Sequence, residues 1–161
     1  MPGKKNKKKT PNNLDTMRRQ IDDVDEKIQE LISKRAHFAQ QVGEVKKADS
    51  SSVEYYRPGR EAEVLRAVVG RNDGPLSDKE MVRLFREIMS ACLAQEEALK
   101  VGYLGPEGTF TQAAVLKQFG HSVRALPLAT IDEVFHEVEA GMADFGVVPI
   151  ENSSEGTVNN T

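Results

Sequence analysis

The apolar residues between Leu14 and Val45 fall at Leu14, Met17, Ile21, Val24, Ile28 and Leu31, then at Phe38, Val42 and Val45. Their steps alternate three and four, the spacing of a helix whose apolar stripe forms a coiled-coil-like seam. At about 1.5 Å per residue such a helix runs roughly 45 to 50 Å, too far for local structure to cover its stripe. The seam must pack on other helices or on another chain. Asn12 or Asn13 can cap its start, and Asp49-Ser50-Ser51-Ser52 ends it.

Two shorter helices follow. Pro58 suits the first turn of one carrying Arg60, Glu61, Val64, Leu65 and Val68, which Asn72-Asp73-Gly74-Pro75 closes. Ser77 and Glu80 form a capping box for the next, in which Val82, Phe85, Ile88, Met89, Cys92 and Leu99 recur at helical spacing. Helices of such unequal length make a poor monomeric bundle, whereas a dimer that pairs the long helices buries the whole seam. At Lys100 the pattern changes. Val101 to Leu104 reads as a strand, and Gly105-Pro106-Glu107-Gly108 as a tight loop. A helix from Thr109 to Phe119, a strand from Val123 to Leu126, a helix capped by Thr130 and Glu133, and a strand from Phe145 to Ile150 complete a β-α-β-α-β run. The chain therefore divides into a basic tail over 1–12, expected to be disordered, a helical domain over 13–99 and a partial α/β domain over 100–161.

With 39% hydrophobic and 29% charged residues, the chain can bury a core and is neither disordered nor membrane-like in composition. No apolar run approaches the eighteen or so residues that span a bilayer, and the Lys-rich start lacks the apolar stretch of a secretory signal. A cytoplasmic protein is expected. Cys92 is the single cysteine, with no His or Cys neighbour at metal-ligand spacing, so neither an internal disulfide nor a metal site is expected. Five lysines crowd Lys4 to Lys9, yet no aromatic residue interleaves them and the net charge is −3. That run reads as a solvated terminus and not as a nucleic-acid contact.

Several charges stand where a packing helix should be apolar. Arg35 lies on the seam between Leu31 and Phe38, where it is either solvated at an edge, paired with a bundle acid, or neutralised by something buried. Lys46 follows three turns later on the same face, about 16 Å away, so the two cations can close on one small anion. Arg18 lies roughly 25 Å before Arg35 along the rod and about a quarter turn away. It can serve the same site only from a partner subunit, which agrees with the dimer. Arg60 and Glu61 open the second helix. Glu96 falls on the apolar side of the third, one turn after Cys92, where a carboxylate must be paired or protonated.

The ordered set of Arg18 in Met17-Arg18-Arg19-Gln20-Ile21, Asp25, Arg35, Val42-Gly43, Lys46, Arg60-Glu61 and the Cys92/Glu96 pair resembles the all-helical chorismate mutase family over residues 14 to 99. The resemblance implies an intertwined helical homodimer whose two sites each take one arginine from the other subunit. It also implies chorismate as substrate, rearranged to prephenate by an intramolecular pericyclic shift that requires no nucleophile, metal or cofactor. Such a reaction gains from holding the compact conformer and from stabilising charge on the breaking ether oxygen. By the same resemblance, Arg35 and the partner's Arg18 grip carboxylates, and Lys46 meets a carboxylate and the ether oxygen. Glu61 accepts the ring hydroxyl's hydrogen bond, with Arg60 supporting that corner. Two positions depart from the bacterial pattern. Cys92 stands where serine is common. Glu96 stands where a glutamine often donates to the ether oxygen, so it is expected to work as the neutral acid and to favour activity at acidic pH. Arg57 falls where an acidic hydroxyl-binding residue occurs.

Gly105-Pro106-Glu107-Gly108-Thr109-Phe110 and Pro149-Ile150-Glu151-Asn152-Ser153-Ser154-Glu155-Gly156 look like the start of a prephenate dehydratase. Together with the mutase segment they resemble the bifunctional enzyme of phenylalanine synthesis. The α/β part is then periplasmic-binding-protein-like, with Thr109, Asn152 and Ser153 lining a cleft between two subdomains. An ordinary tight turn, or a loop that binds any anion before a helix, is the plainer reading of the first motif. Because the chain stops at Thr161, before the family's second subdomain and its Thr-Arg-Phe motif, no dehydratase activity is expected from this polypeptide alone. The competing reading is a helical dimerisation module with a ligand-sensing α/β fragment, against which Arg35 and Glu96 argue, since a dimerisation helix gains little from burying them.

Overall fold

The computed structural model of the chain describes residues 13–48, 56–95, 97–152 and 156–157. The Lys4 to Lys9 run, Asn12, the Asp49 to Ser52 helix stop, Glu96 and Ser153 lie outside the described residues. Three helices come first: α1 (Asn13–Ala48), α2 (Pro58–Gly70) and α3 (Asp78–Leu93). With 36 residues, α1 is about 54 Å long. Proline occupies the first turn of α2, where its missing N–H is no loss. Ser77 caps α3 by accepting the Glu80 N–H at 3.3 Å, but the Glu80 carboxylate turns to Arg83 and does not complete the expected box. Asn72 clamps the intervening turn, donating to the Leu76 carbonyl and to Asp78.

α3 packs against both α1 and α2. The seam of α1 stays open to solvent along its length, with Leu31 64% and Val45 71% exposed. Among the described residues of the three helices, only Val68 and Cys92 are fully buried apolar side chains. One copy of the helical unit therefore has almost no core of its own.

The second unit runs β1 (Lys100–Leu104), α4 (Phe110–Phe119), β2 (Arg124–Leu128), α5 (Ile131–Glu139) and β3 (Phe145–Val147), followed by a short antiparallel pair, β4 (Glu151–Asn152) and β5 (Gly156–Thr157). The three main strands form a parallel sheet in the order β2-β1-β3. Thr109 and Thr130 cap α4 and α5 by accepting the N–H three residues on. The Glu133 carboxylate accepts the Ala129 N–H at 2.8 Å, so side chain and backbone lock that corner from both sides. Leu99, Val101, Tyr103 and Val115 form the core, with Tyr56, Phe119, Val123, Ala125, Phe145 and Val147 packed around it.

Several expected boundaries move. The helical stripe of α3 ends at Leu93 and does not reach Leu99, which instead starts the sheet by accepting the Arg124 N–H and lies in the α/β core. β2 begins at Arg124 and extends to Leu128, two residues past the expected end, because Pro127 and Leu128 stay in register with Tyr103 and Leu104. β3 stops at Val147 short of Pro149, whose ring supplies no N–H to a ladder.

Candidate active site

The helix spacing of α1 places Arg35, Phe38, Ala39, Val42 and Lys46 on one face, and that face forms one wall of a cavity of about 450 Å³. The start of α2 brings Arg57, Arg60, Glu61 and Val64 to it, and α3 brings Arg86, Met89, Ser90, Cys92 and Leu93. Six of the residues picked from sequence, Arg35, Lys46, Arg57, Arg60, Glu61 and Cys92, thus meet in one place. Arg18 does not. It is 67% exposed far along α1 and faces Asp15 at 3.8 Å. Thr109 and Asn152 belong to the other unit.

The described lining residues include five cations and a single carboxylate, Glu61. That imbalance suits an anionic ligand. The carboxylate is itself held: Arg86 Nε donates to Glu61 Oε1 at 3.2 Å, with both side chains largely buried. The Tyr56 phenol also hydrogen-bonds Glu61. Its pKa is pushed up to about 12, by burial first and then by the Glu61 carboxylate, so it remains a neutral donor. Arg60 lines the cavity while its guanidinium pairs with Glu63 at 3.0 Å on the outer side of α2. Cys92 is a free, buried thiol, a weak donor at the cavity wall.

Sequence reasoning missed Arg86 and Tyr56. Arg86 shares a helix face with Met89, Ser90 and Leu93, a local signal, but its partners lie 25 and 31 residues away. The cavity is also lined by Phe119, Ser122 and Val123 from the α/β unit.

In the sheet, β1 leads to β2 on one side and the chain returns to β3 on the other. The loops after β1 and β3 follow the carboxyl ends of two neighbouring parallel strands, the side on which doubly wound sheets bind ligands. Thr109 lies in the first of these loops and Asn152 follows the second. Gly108, at a φ of +83°, donates its N–H to Gln112 Oε1 at 2.6 Å. Phe110 is 96% exposed beside it. Among the described residues no group of three or more His, Cys, Asp or Glu is placed to hold a metal, and no helix is long and apolar enough to cross a membrane.

The helical unit is that of a recognised class: residues 17–97 match chorismate mutase type II, and the chain belongs to that family. Residues 101–161 match prephenate dehydratase. The chain is 59% identical over 151 residues to the bifunctional chorismate mutase/prephenate dehydratase of Stutzerimonas stutzeri, covering 92% of this chain and 41% of that protein. It is 58% identical, with the same coverage, to the enzyme of that name from Pseudomonas aeruginosa. It thus spans about two fifths of the length of these curated relatives. Among solved structures, a chorismate mutase from Thermus thermophilus superposes with a TM-score of 0.51 at 31% identity, covering 53% of this chain and 96% of that one.

Proposed function

We propose that residues 13–99 form a chorismate mutase module and residues 100–161 the opening part of a prephenate dehydratase module, within a bifunctional cytoplasmic enzyme of phenylalanine synthesis. The observation that carries the reading is the cation-lined cavity, whose volume lies in the range of small-molecule sites. Chorismate carries two carboxylates. Arg35 and Lys46 on one face of α1 suit one end of such a dianion, and the partner's Arg18 supplies the other through a homodimer. The exposed α1 seam supports that assembly, because it leaves a long apolar stripe that a second copy covers.

The rearrangement breaks the ether C–O bond as a new C–C bond forms within the same molecule, so no group need be taken up or released. Two contributions from the protein then matter. Cations at both ends hold the chain folded over the ring in its reactive conformer. Lys46 and Glu96 stabilise the charge that grows on the ether oxygen, Glu96 acting as the neutral acid. Glu61, steadied by Arg86 and Tyr56, accepts from the ring hydroxyl. Thr109, Asn152 and Ser153 are proposed to line the dehydratase cleft between two subdomains.

Loss of chorismate absorbance with the purified chain, followed alongside Arg35→Ala, tests the reading. Removing one charge-assisted contact is expected to lower kcat/KM about ten- to hundred-fold. An inert parent chain would overturn the mutase assignment and favour the dimerisation-module reading.

A further inference from the structure

The α/β unit closes part of the mutase cavity. Arg86 spans the junction. Its Nε donates to the cavity carboxylate Glu61, and its Nη1 donates to the Lys117 carbonyl at 3.2 Å in the last turn of α4. That carbonyl is one of the four a helix leaves without an internal partner, at the negative end of its dipole. One rigid guanidinium fork therefore ties the cavity carboxylate to a helix end of the other unit.

Three further contacts fix the same junction. Glu87, next on α3, accepts the His121 N–H at 3.0 Å and meets the His121 ring at 2.7 Å. Ser90 Oγ accepts the Ser122 N–H at 3.3 Å. Gly120 lies so close to α3 that an added Cβ would fall 2.5 Å from Ser90 Cβ, at a φ of +82° that side chains avoid. Tyr56, the other partner of Glu61, stacks into the α/β core, with ring centroids 5.7 Å from Phe119 and 5.3 Å from Phe145. Both groups that hold Glu61 are thus anchored in the second unit.

We propose that Arg86 is a positioning residue for the mutase reaction and that, through it and Tyr56, the docked α/β unit sets the orientation of Glu61 and hence the affinity of the cavity for its hydroxyl-bearing dianion. This inference rests on the mutase reading above. Glu61 binds the ring hydroxyl equally in the ground and transition states, so loosening it raises KM more than it lowers kcat.

The test is steady-state chorismate kinetics on the full chain for the parent, Arg86→Gln, Arg86→Lys and Glu87→Gln, each checked for folding by circular dichroism. Arg86→Gln is expected to raise KM about ten-fold with kcat within about two-fold. Arg86→Lys keeps a charge by Glu61 but cannot also hold the Lys117 carbonyl in fork geometry, and recovers part of that loss. Glu87→Gln touches no lining group, yet by loosening the junction it raises KM in the same direction, about three-fold. Should Arg86→Gln fail to fold, the Arg86→Lys and Glu87→Gln values decide. A parent that turns over chorismate while the folded variants match its KM overturns the coupling alone; an inert parent overturns the mutase reading and the coupling with it.

Discussion

At the scale of single residues, the site was legible in the charges that interrupt the apolar stripe of α1. Arg35 and Lys46 stand out on the seam of α1, and the structure sets both in the cavity wall. Arg86 went unread, although it shares a helix face with Met89 and Leu93, because both of its partners are distant in sequence. Glu96 is proposed as the neutral acid, so the parent's activity should fall as pH rises and Glu96→Gln should flatten the profile. A glutamine variant whose pH–rate curve overlays the parent's would remove that role. Tyr103 carries a different signal. Its hydroxyl is wholly buried with no hydrogen-bond partner among the described residues, and burial, aided by Glu107, holds the phenol above its usual pKa. Since the unmet hydroxyl costs stability, Tyr103→Phe should stabilise the α/β unit by about 1 kcal/mol in urea denaturation. A loss of stability would reveal a partner for the hydroxyl.

At the scale of elements, the caps were readable because Ser77, Thr109 and Thr130 act on N–H groups only three residues away. The ends of α3, β2 and β3 were not, because register against a neighbouring strand and the missing N–H of Pro149 decide them. The β4–β5 pair gave no period-two signal in two residues per strand. The junction of α3 with the loop after α4 also has a pH signature. Burial pulls the Glu87 carboxyl upward, but its hydrogen bonds to His121 outweigh this and hold it below the ordinary 4.5. A carboxyl lowered in the folded state binds fewer protons there than in the unfolded chain, so stability rises with pH through that range. The contribution is fully present above 4.5 and disappears as pH falls through the lower folded value. Thermal melts across acidic pH should show this slope in the parent and a shallower one in Glu87→Gln. Equal slopes would mean that the pair contributes nothing to the junction.

At the scale of the whole molecule, the heptad-like spacing announced a long helix in need of a partner, and the alternating strand and helix pattern announced a parallel sheet. What the sequence left unread is that the two units share a wall, because Phe119, Ser122 and Val123 look like ordinary α/β residues until the fold brings them to the helical cavity. Arg18, stranded on the far stretch of α1, has a consequence for mixtures. If each cavity borrows its second arginine across a two-fold axis, chains carrying Arg18→Ala and chains carrying Arg35→Ala are each impaired about ten- to hundred-fold but complement when co-expressed. In a hybrid pair one cavity inherits both defects and the other inherits neither, so random pairing restores roughly a quarter of the cavities. Two impaired proteins would then yield a more active one without recombination of their genes, and a co-expressed mixture no faster than its parents would show that each copy works alone.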